Sequence, residues 1–181
     1  MCIQQPDIQG SGYRCAYQLD LRNLVSNQMQ MRFDGHLGFH GGLVSEKDIT
    51  IGLNRELKEE INLDEKFFVT DEDYLFSHVE TSNKLCLHFY GKKVTKEEFE
   101  AIEKDVFTAK DFGKETMGLI RVPMFTMDDG YHGLPAFLNN CFVGDSKNQL
   151  LNFILITNLM SPEEMNMVLE NSRKGHLKHS H

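Results

Sequence analysis

The chain has 181 residues, of which 40% are hydrophobic, and a formal net charge of -8 with an isoelectric point near 5.4. That length suits one domain with a proper core and leaves no room for a second of full size. The acidic balance excludes a broad basic footprint for phosphate backbones, so a nucleic-acid substrate is expected to be gripped at one end, with a cation between protein and phosphate. Cys2, Cys15, Cys86 and Cys141 are scattered and offer no zinc-type ligand pair; Cys15 and Cys86 fall in apolar, strand-like segments and are expected as small buried side chains. No signal peptide or membrane-length apolar run occurs, so the expectation is a soluble intracellular protein with no membrane partner.

Residues 1–12 are polar and contain glycine, and are expected to be a flexible N-terminus ahead of a single domain over residues 13–174. Residues 13–21 and 24–33 read as two extended segments joined near Arg22-Asn23 in a short hairpin. Asp34-Gly35 and the run Gly38-Phe39-His40-Gly41-Gly42 then force turns. The clearest helix is Ile49–Ile61, where Leu53, Leu57 and Ile61 recur every fourth residue as one apolar stripe. Strand-like runs follow at residues 67–69, 74–79 and 85–94. Thr95 with Glu98 three residues on forms a capping box that opens a further helix carrying Phe99, Ile102 and Val106. Residues 117–124 return as a strand and residues 146–160 as a helix. A last helix starts at Ser161-Pro162, with serine as cap and proline at the first helical position. The histidine-containing residues 175–181 read as a tail and are set aside. This mixture of strands and helices predicts an α/β fold, a mixed sheet sandwiched between helices.

The chemistry concentrates in Arg55-Glu56-Leu57-Lys58-Glu59-Glu60-Ile61. At about 100° per residue, Glu56, Glu59 and Glu60 share one side of the helix and Lys58 points elsewhere. A solvated acidic face is the ordinary reading of a glutamate-rich helix. Like charges one turn apart cost roughly 0.2–0.5 kcal/mol per pair, however, and a charge-optimised face would alternate signs. Three convergent carboxylates are what a hard divalent ion takes as ligands, with water and substrate phosphates completing its shell. The turn at Gly41-Gly42 strengthens that reading, because it can bring a backbone carbonyl to the ion and phosphates to the main chain.

These residues resemble the Nudix box: Gly41 and Arg55-Glu56-Leu57-Lys58-Glu59-Glu60-Ile61-Asn62-Leu63 fall in its register. Two positions depart from it. Lys47 stands where the box has its first glutamate, although Glu46 and Asp48 flank it, and this departure is expected to weaken one metal position. Asn62 replaces the final glycine, a milder change since asparagine tolerates the left-handed backbone region. Beyond the box, residues 29–35 (Met-Gln-Met-Arg-Phe-Asp-Gly), 37–39, 52–57, 118–123 (Gly-Leu-Ile-Arg-Val-Pro), 133–138 and 149–151 are similar to the small nucleolar RNA-decapping Nudix hydrolases, which also act on inosine and deoxyinosine diphosphates.

The resemblance implies a Nudix fold, Mg²⁺ or Mn²⁺ as cofactor, and roles for particular residues. Gly41 (through its carbonyl), Glu56, Glu59, Glu60 and His78 correspond to metal-binding positions. Glu59 and Glu115 are the candidate proton acceptors, and Arg55 is the cation that orients a neighbouring glutamate. Gln18, Arg32, Phe39 and Gln149 correspond to substrate-contacting positions. Read without the resemblance, His78 is a half-buried strand histidine, Glu115 a loop carboxylate, Arg32 a surface ion pair, Phe39 a core aromatic and Gln149 a helix-face amide. Gln18 stands where these enzymes carry a histidine that packs on the purine, and His40 where they usually have proline. The region between Tyr17 and Met29 is also shorter than in the family.

The implied reaction is metal-dependent hydrolysis of the pyrophosphate bridge in purine nucleoside diphosphates and in 5′-capped RNA, whether small nucleolar or messenger, by a homodimer in nucleus and cytoplasm. The apolar side chains at residues 153–160 are the expected dimer surface. Two alternatives stay open: a catalytically silent Nudix-like module that binds RNA or protein, as in relatives that have lost the glutamates, and an enzyme for ADP-ribose or dinucleoside polyphosphates.

Overall fold

The computed structural model describes the backbone of residues 13–21, 26–80 and 85–179 and the side chains of residues 28–79 and 85–175. In chain order the elements are β1 (Tyr13–Leu21), β2 (Ser26–Arg32), β3 (Leu37–Gly38), β4 (Leu43–Val44), α1 (Ile49–Ile61), β5 (Tyr74–Glu80), β6 (Leu85–Val94), α2 (Lys96–Asp105), β7 (Thr116–Pro123), α3 (Leu134–Phe137), α4 (Ser146–Ile156) and α5 (Pro162–His179). Strands β3, β2, β1, β6 and β5 lie side by side in a seven-stranded sheet, with β4 also paired to β1 and β7 to β2. The sheet is mixed: β1 runs parallel to β6 from Tyr13 opposite Cys86 to Leu21 opposite Val94, and β2 runs antiparallel to β7.

Alternation along the strands builds a core on each face. In β6, Phe89 turns to one side and Tyr90 to the other. Tyr90 joins Leu53, Leu57 and Ile61 of α1 and Phe99 and Ile102 of α2. Phe89 joins Met29, Leu134 of α3, Leu150, Phe153 and Ile154 of α4, and Met165 of α5. Leu53, Leu57 and Ile61 are each 0% exposed, so the apolar stripe contributes about 2 kcal/mol per side chain relative to exposure. The sheet is therefore covered by helices on both faces, as the alternation of elements predicts.

Helix α1 is bounded by local chemistry at both ends. The Asp48 carboxylate accepts from the Thr50 and Ile51 amides at 3.0 and 3.4 Å. Asn62 closes the helix in the left-handed region (φ 51°), its N–H returning to the Leu57 and Lys58 carbonyls and its side chain donating to Thr108 Oγ1 at 2.9 Å. Asparagine thus performs the turn for which the box uses glycine.

Three expectations meet a different backbone. Residues 67–69 form no strand. Asp64 instead caps a 3-10 turn, Glu65–Phe67, and the Asn54 amide both accepts from Val69 N–H (2.7 Å) and donates to its carbonyl (2.9 Å), replacing a neighbouring strand. The helix from residue 146 stops at Ile156, where Thr157 Oγ1 donates back to the Phe153 carbonyl and Asn158 enters the left-handed region at φ 54°. The apolar run assigned to a dimer surface is partly enclosed, since Phe153 and Ile154 are buried and Ile156 remains 48% exposed. Residues 175–179 continue α5. The expected capping box of Thr95 with Glu98 forms, Ser161 caps α5 as expected, and Glu164 returns to the Ser161 N–H to complete a second box. Cys86 is half-buried, while the hairpin turn near Arg22-Asn23 and residues 1–12 lie outside the described residues. Among the described residues no helix is long and apolar enough to cross a membrane.

Replacing Asn62 by alanine is expected to cost about 1–2 kcal/mol from left-handed strain and the lost bond to Thr108. Asn62→Gly should stay within about 0.5 kcal/mol of the parent. Urea denaturation of both variants checks this.

Candidate active site at the glycine turn and the first helix

The period-two pattern of β2 places the first component. Met29 points into the core beneath α3 and α4, so Gln28 and Gln30 face the other way, toward α1 and α2. Gln30 is 1% exposed and both ends of its amide are engaged. Its oxygen accepts from Thr116 Oγ1 at 2.5 Å, and its nitrogen donates to the Phe39 carbonyl at 3.2 Å and to the Glu60 carboxylate at 3.4 and 3.5 Å. Glu60 is itself only 3% exposed and takes the Gly41 N–H at 2.9 Å. His40 stands beside it, 2% exposed, with Nδ1 3.4 Å from Glu60 Oε2 but without the geometry of a hydrogen bond. The turn at residues 39–41 is thereby joined to the last turn of α1.

Arg55 organises the remaining carboxylates. Its Nε meets Glu46 Oε1 at 3.0 Å, and its Nη1 meets Glu56 Oε1 at 2.7 Å and Glu59 Oε2 at 3.3 Å. The glutamate absent at position 47 is thus replaced by its neighbour: Glu46 reaches Arg55 from one residue earlier. Gly52 makes this possible, because a Cβ there would stand 2.7 Å from Glu46 Oε2 and 2.4 Å from Val44 Cγ1. Gly42 plays the same part for Glu56, where an added Cβ would lie 2.7 Å from Oε2. Glu59 also accepts from Lys110 Nζ at 2.6 Å, and the backbone N–H of Asp111 donates to the Glu59 carbonyl at 3.0 Å, so the turn before β7 docks on α1.

The charges follow from this arrangement. The Lys110 hydrogen bond, with the Lys110 and Arg55 charges, holds the Glu59 carboxyl below the usual glutamate range. The hydrogen bond from Arg55 does the same for Glu46. Glu56 moves the other way: burial pushes it up, and the neighbouring charges of Glu60 and Glu59 add to that against Arg55. Four carboxylates, Glu46, Glu56, Glu59 and Glu60, face two side-chain cations, Arg55 and Lys110, leaving the cluster two negative charges in excess.

The other sequence-predicted residues divide by position. Glu115 is exposed in the turn that docks on α1, its carbonyl accepting from the Phe33 N–H at 3.1 Å. Arg32 pairs with Asp34 at 3.2 Å, which with its hydrogen bonds lowers the Asp34 carboxyl to about 2, and its stem packs beside Gly38 and Val143. Phe39 is a core aromatic, 6% exposed and set edge-on to Phe89. His78 Nε2 meets Asp145 Oδ2 at 2.7 Å across from α4, and Gln149 is buried on that helix. Gln18 lies in β1 opposite Gly91 of β6; its side chain is outside the described ones. The glutamates on α1 and the His78–Asp145 pair are thus separate groups, linked by the chain from Leu37, whose carbonyl accepts from Val143 N–H, to Gly41. Among the described residues no three acidic, histidine or cysteine side chains already converge as a metal site, Glu59 being turned to Lys110. Sequence reasoning missed Gln30, Lys110 and the use of Glu46. Only Glu46 left a signal, as an acid flanking the lysine.

A model of the Nudt16-like family, described as U8 snoRNA-decapping enzyme-like, matches residues 15–160. The chain belongs to this family. A U8 snoRNA-decapping enzyme from Xenopus laevis is 46% identical over 150 residues, covering 81% of this chain and 71% of that protein. The human Tudor-interacting repair regulator protein is 39% identical over 140 residues, covering 76% of this chain and 65% of its own length. Among solved structures, a MutT/nudix family protein from Enterococcus faecalis matches with a TM-score of 0.57 at 12% identity, over 93% of this chain and 70% of that one. That likeness establishes the Nudix fold for the Nudt16-like chain.

The raised Glu56 carboxyl makes a pH prediction. A carboxylate whose folded value lies above its ordinary 4.5 destabilises the fold once ionised, so the penalty is absent below about pH 4.5 and grows as pH rises through the folded value. Glu56→Gln should therefore raise the thermal midpoint of metal-free protein at pH 7 and flatten its decline above pH 4.5. Thermal unfolding from pH 4 to 8 with chelator measures it.

Proposed function

We propose that this chain is a divalent-metal-dependent hydrolase of pyrophosphate bridges, acting on 5′-capped RNA and on purine nucleoside diphosphates. The observation that carries the reading is the α1 cluster, in which Glu56 and Glu60 are packed against the Gly41-Gly42 turn with uncompensated negative charge. The donor set suits a hard cation: carboxylate oxygens from Glu56, Glu59 and Glu60, and the Gly41 carbonyl. The Glu56 carboxyl, pushed up by burial and like charge, marks a place where a cation relieves repulsion. Relatives named U8 snoRNA-decapping enzymes support the capped-RNA assignment.

When bound, a divalent ion supplies charge neutralisation for the bridge oxygens and lowers the pKa of an attacking water. The chain's own residues do the rest. Arg55 keeps Glu46, Glu56 and Glu59 oriented along one side of the helix. Glu59 on the helix and Glu115 in the adjoining turn are the two carboxylates proposed to take the proton of the attacking water. The phosphate chain is placed along the Gly38–Gly41 stretch, which joins the glutamates to the side carrying the His78–Asp145 pair.

A second reading, a binding module without catalysis, is favoured by the Lys110 contact that occupies Glu59 and by the similarity to the Tudor-interacting repair regulator protein. Capped RNA, inosine diphosphate and ADP-ribose assayed with Mg²⁺ and with Mn²⁺ separate the two. We expect release of a methylguanosine nucleotide from capped RNA and of phosphate from inosine diphosphate, with Glu59→Gln and Glu60→Gln each lowering turnover by about a hundredfold or more. Binding of capped RNA without turnover under either ion sinks the catalytic reading.

The absence of histidine at position 18 makes a further expectation. An aromatic face stacked on a base is worth roughly 1–3 kcal/mol, so Gln18→His should lower the Michaelis constant for inosine diphosphate by about tenfold. Turnover should hardly change. A loss of turnover instead would place Gln18 away from the base.

A further inference from the structure

We propose that His40 supplies a nitrogen ligand to the divalent ion of the α1 site, in addition to the carboxylates and the backbone carbonyl; this rests on the metal-dependent reading above. His40 is 2% exposed, and among the described residues neither of its ring nitrogens has a hydrogen-bond partner. Its surroundings are otherwise satisfied. The Phe39 carbonyl takes Gln30, the Gly41 N–H goes to Glu60, and Gln30 is engaged at both ends. Those two backbone bonds also pin residue 40 from either side, so the ring stays against Glu60 with Nδ1 3.4 Å from Oε2. That separation lacks hydrogen-bond geometry, yet two ligands of one ion stand at a similar distance, about 3 Å for metal–ligand bonds near 2.1 Å. An imidazole this far from water, with Glu60 beside it and no hydrogen bond at either nitrogen among the described residues, calls for an unseen partner, and a cation shared with Glu60 meets that need. Nitrogen ligation favours Mn²⁺, Co²⁺ and Zn²⁺ over Mg²⁺.

The test uses metal-free protein titrated with Mn²⁺, the free ion being read by electron paramagnetic resonance, alone and against competing Mg²⁺. In His40→Pro and His40→Gln, Mn²⁺ affinity is expected to fall by about tenfold or more and Mg²⁺ affinity by less than about threefold, narrowing the preference. Equal loss for both ions makes His40 a mere orienter of Glu60 and overturns the proposal, as does no loss. A second measurement needs no change at position 40: the His78→Gln protein, labelled with ¹⁵N-histidine and loaded with Mn²⁺, should retain an imidazole coupling in pulsed resonance that Glu60→Gln abolishes. Absence of that coupling overturns the proposal even if the His40 variants fail to fold. Mn²⁺ binding that depends on Glu60 but not on His40 removes this inference alone. A parent protein that binds no Mn²⁺ removes the reading of the site with it.

Discussion

The structure turns on one carboxylate withdrawn from water. Glu60 is 3% exposed, and a carboxylate so placed is tolerable only with donors around it. The Gly41 N–H and the Gln30 amide provide them, and in doing so they weld three distant pieces of chain: the end of α1, the glycine turn and strand β2. Thr116 extends the weld to β7 through the far end of Gln30. The glycine turn therefore has a defined position relative to the helix although it belongs to neither neighbouring strand. Everything else in the site, from the Gly42 contact with Glu56 to the placement of His40, inherits that geometry.

Around this anchor, Arg55 holds three glutamates and Lys110 takes the outer oxygen of one of them. The two cations differ in kind. Arg55 sits on α1 itself and meets carboxylates from both the helix and the loop before it, so its planar head fixes directions. Lys110 arrives from another part of the chain on a flexible, exposed stem and contributes charge without direction. The first fixes the directions of the carboxylates, and the second adds charge at the rim.

The fold was legible wherever local chemistry repeats. The stripe of Leu53, Leu57 and Ile61, the Thr95–Glu98 box, the Ser161 cap and the strand-like run of β6 all describe themselves in sequence, and the glutamates announce themselves by their spacing. What was hidden depends on distant partners. Asn54 converts residues 67–69 from a strand into a side-chain-held loop, and Lys110 reaches Glu59 across 51 positions. Lys47 looked like a lost glutamate, yet the loop before α1 is not helical, so a one-residue displacement still delivers Glu46 to Arg55. Phe39 and Gln149, assigned to substrate by resemblance, lie buried here.

The pairing of β1 with β6, from Tyr13 opposite Cys86 onward, bears on how the molecule comes into being. A chain made N-terminus first must hold its opening strand without a parallel neighbour until roughly the middle of the molecule has emerged, and non-local pairings of this kind fold slowly. The Gln30–Thr116 bond comes later still, spanning 86 positions. Helix α1, with its own caps and stripe, can form long before either. The acidic helix face can therefore form ahead of its distant partners, while the chain of bonds from Glu60 through Gln30 to Thr116 is complete only once β7 lies beside β2.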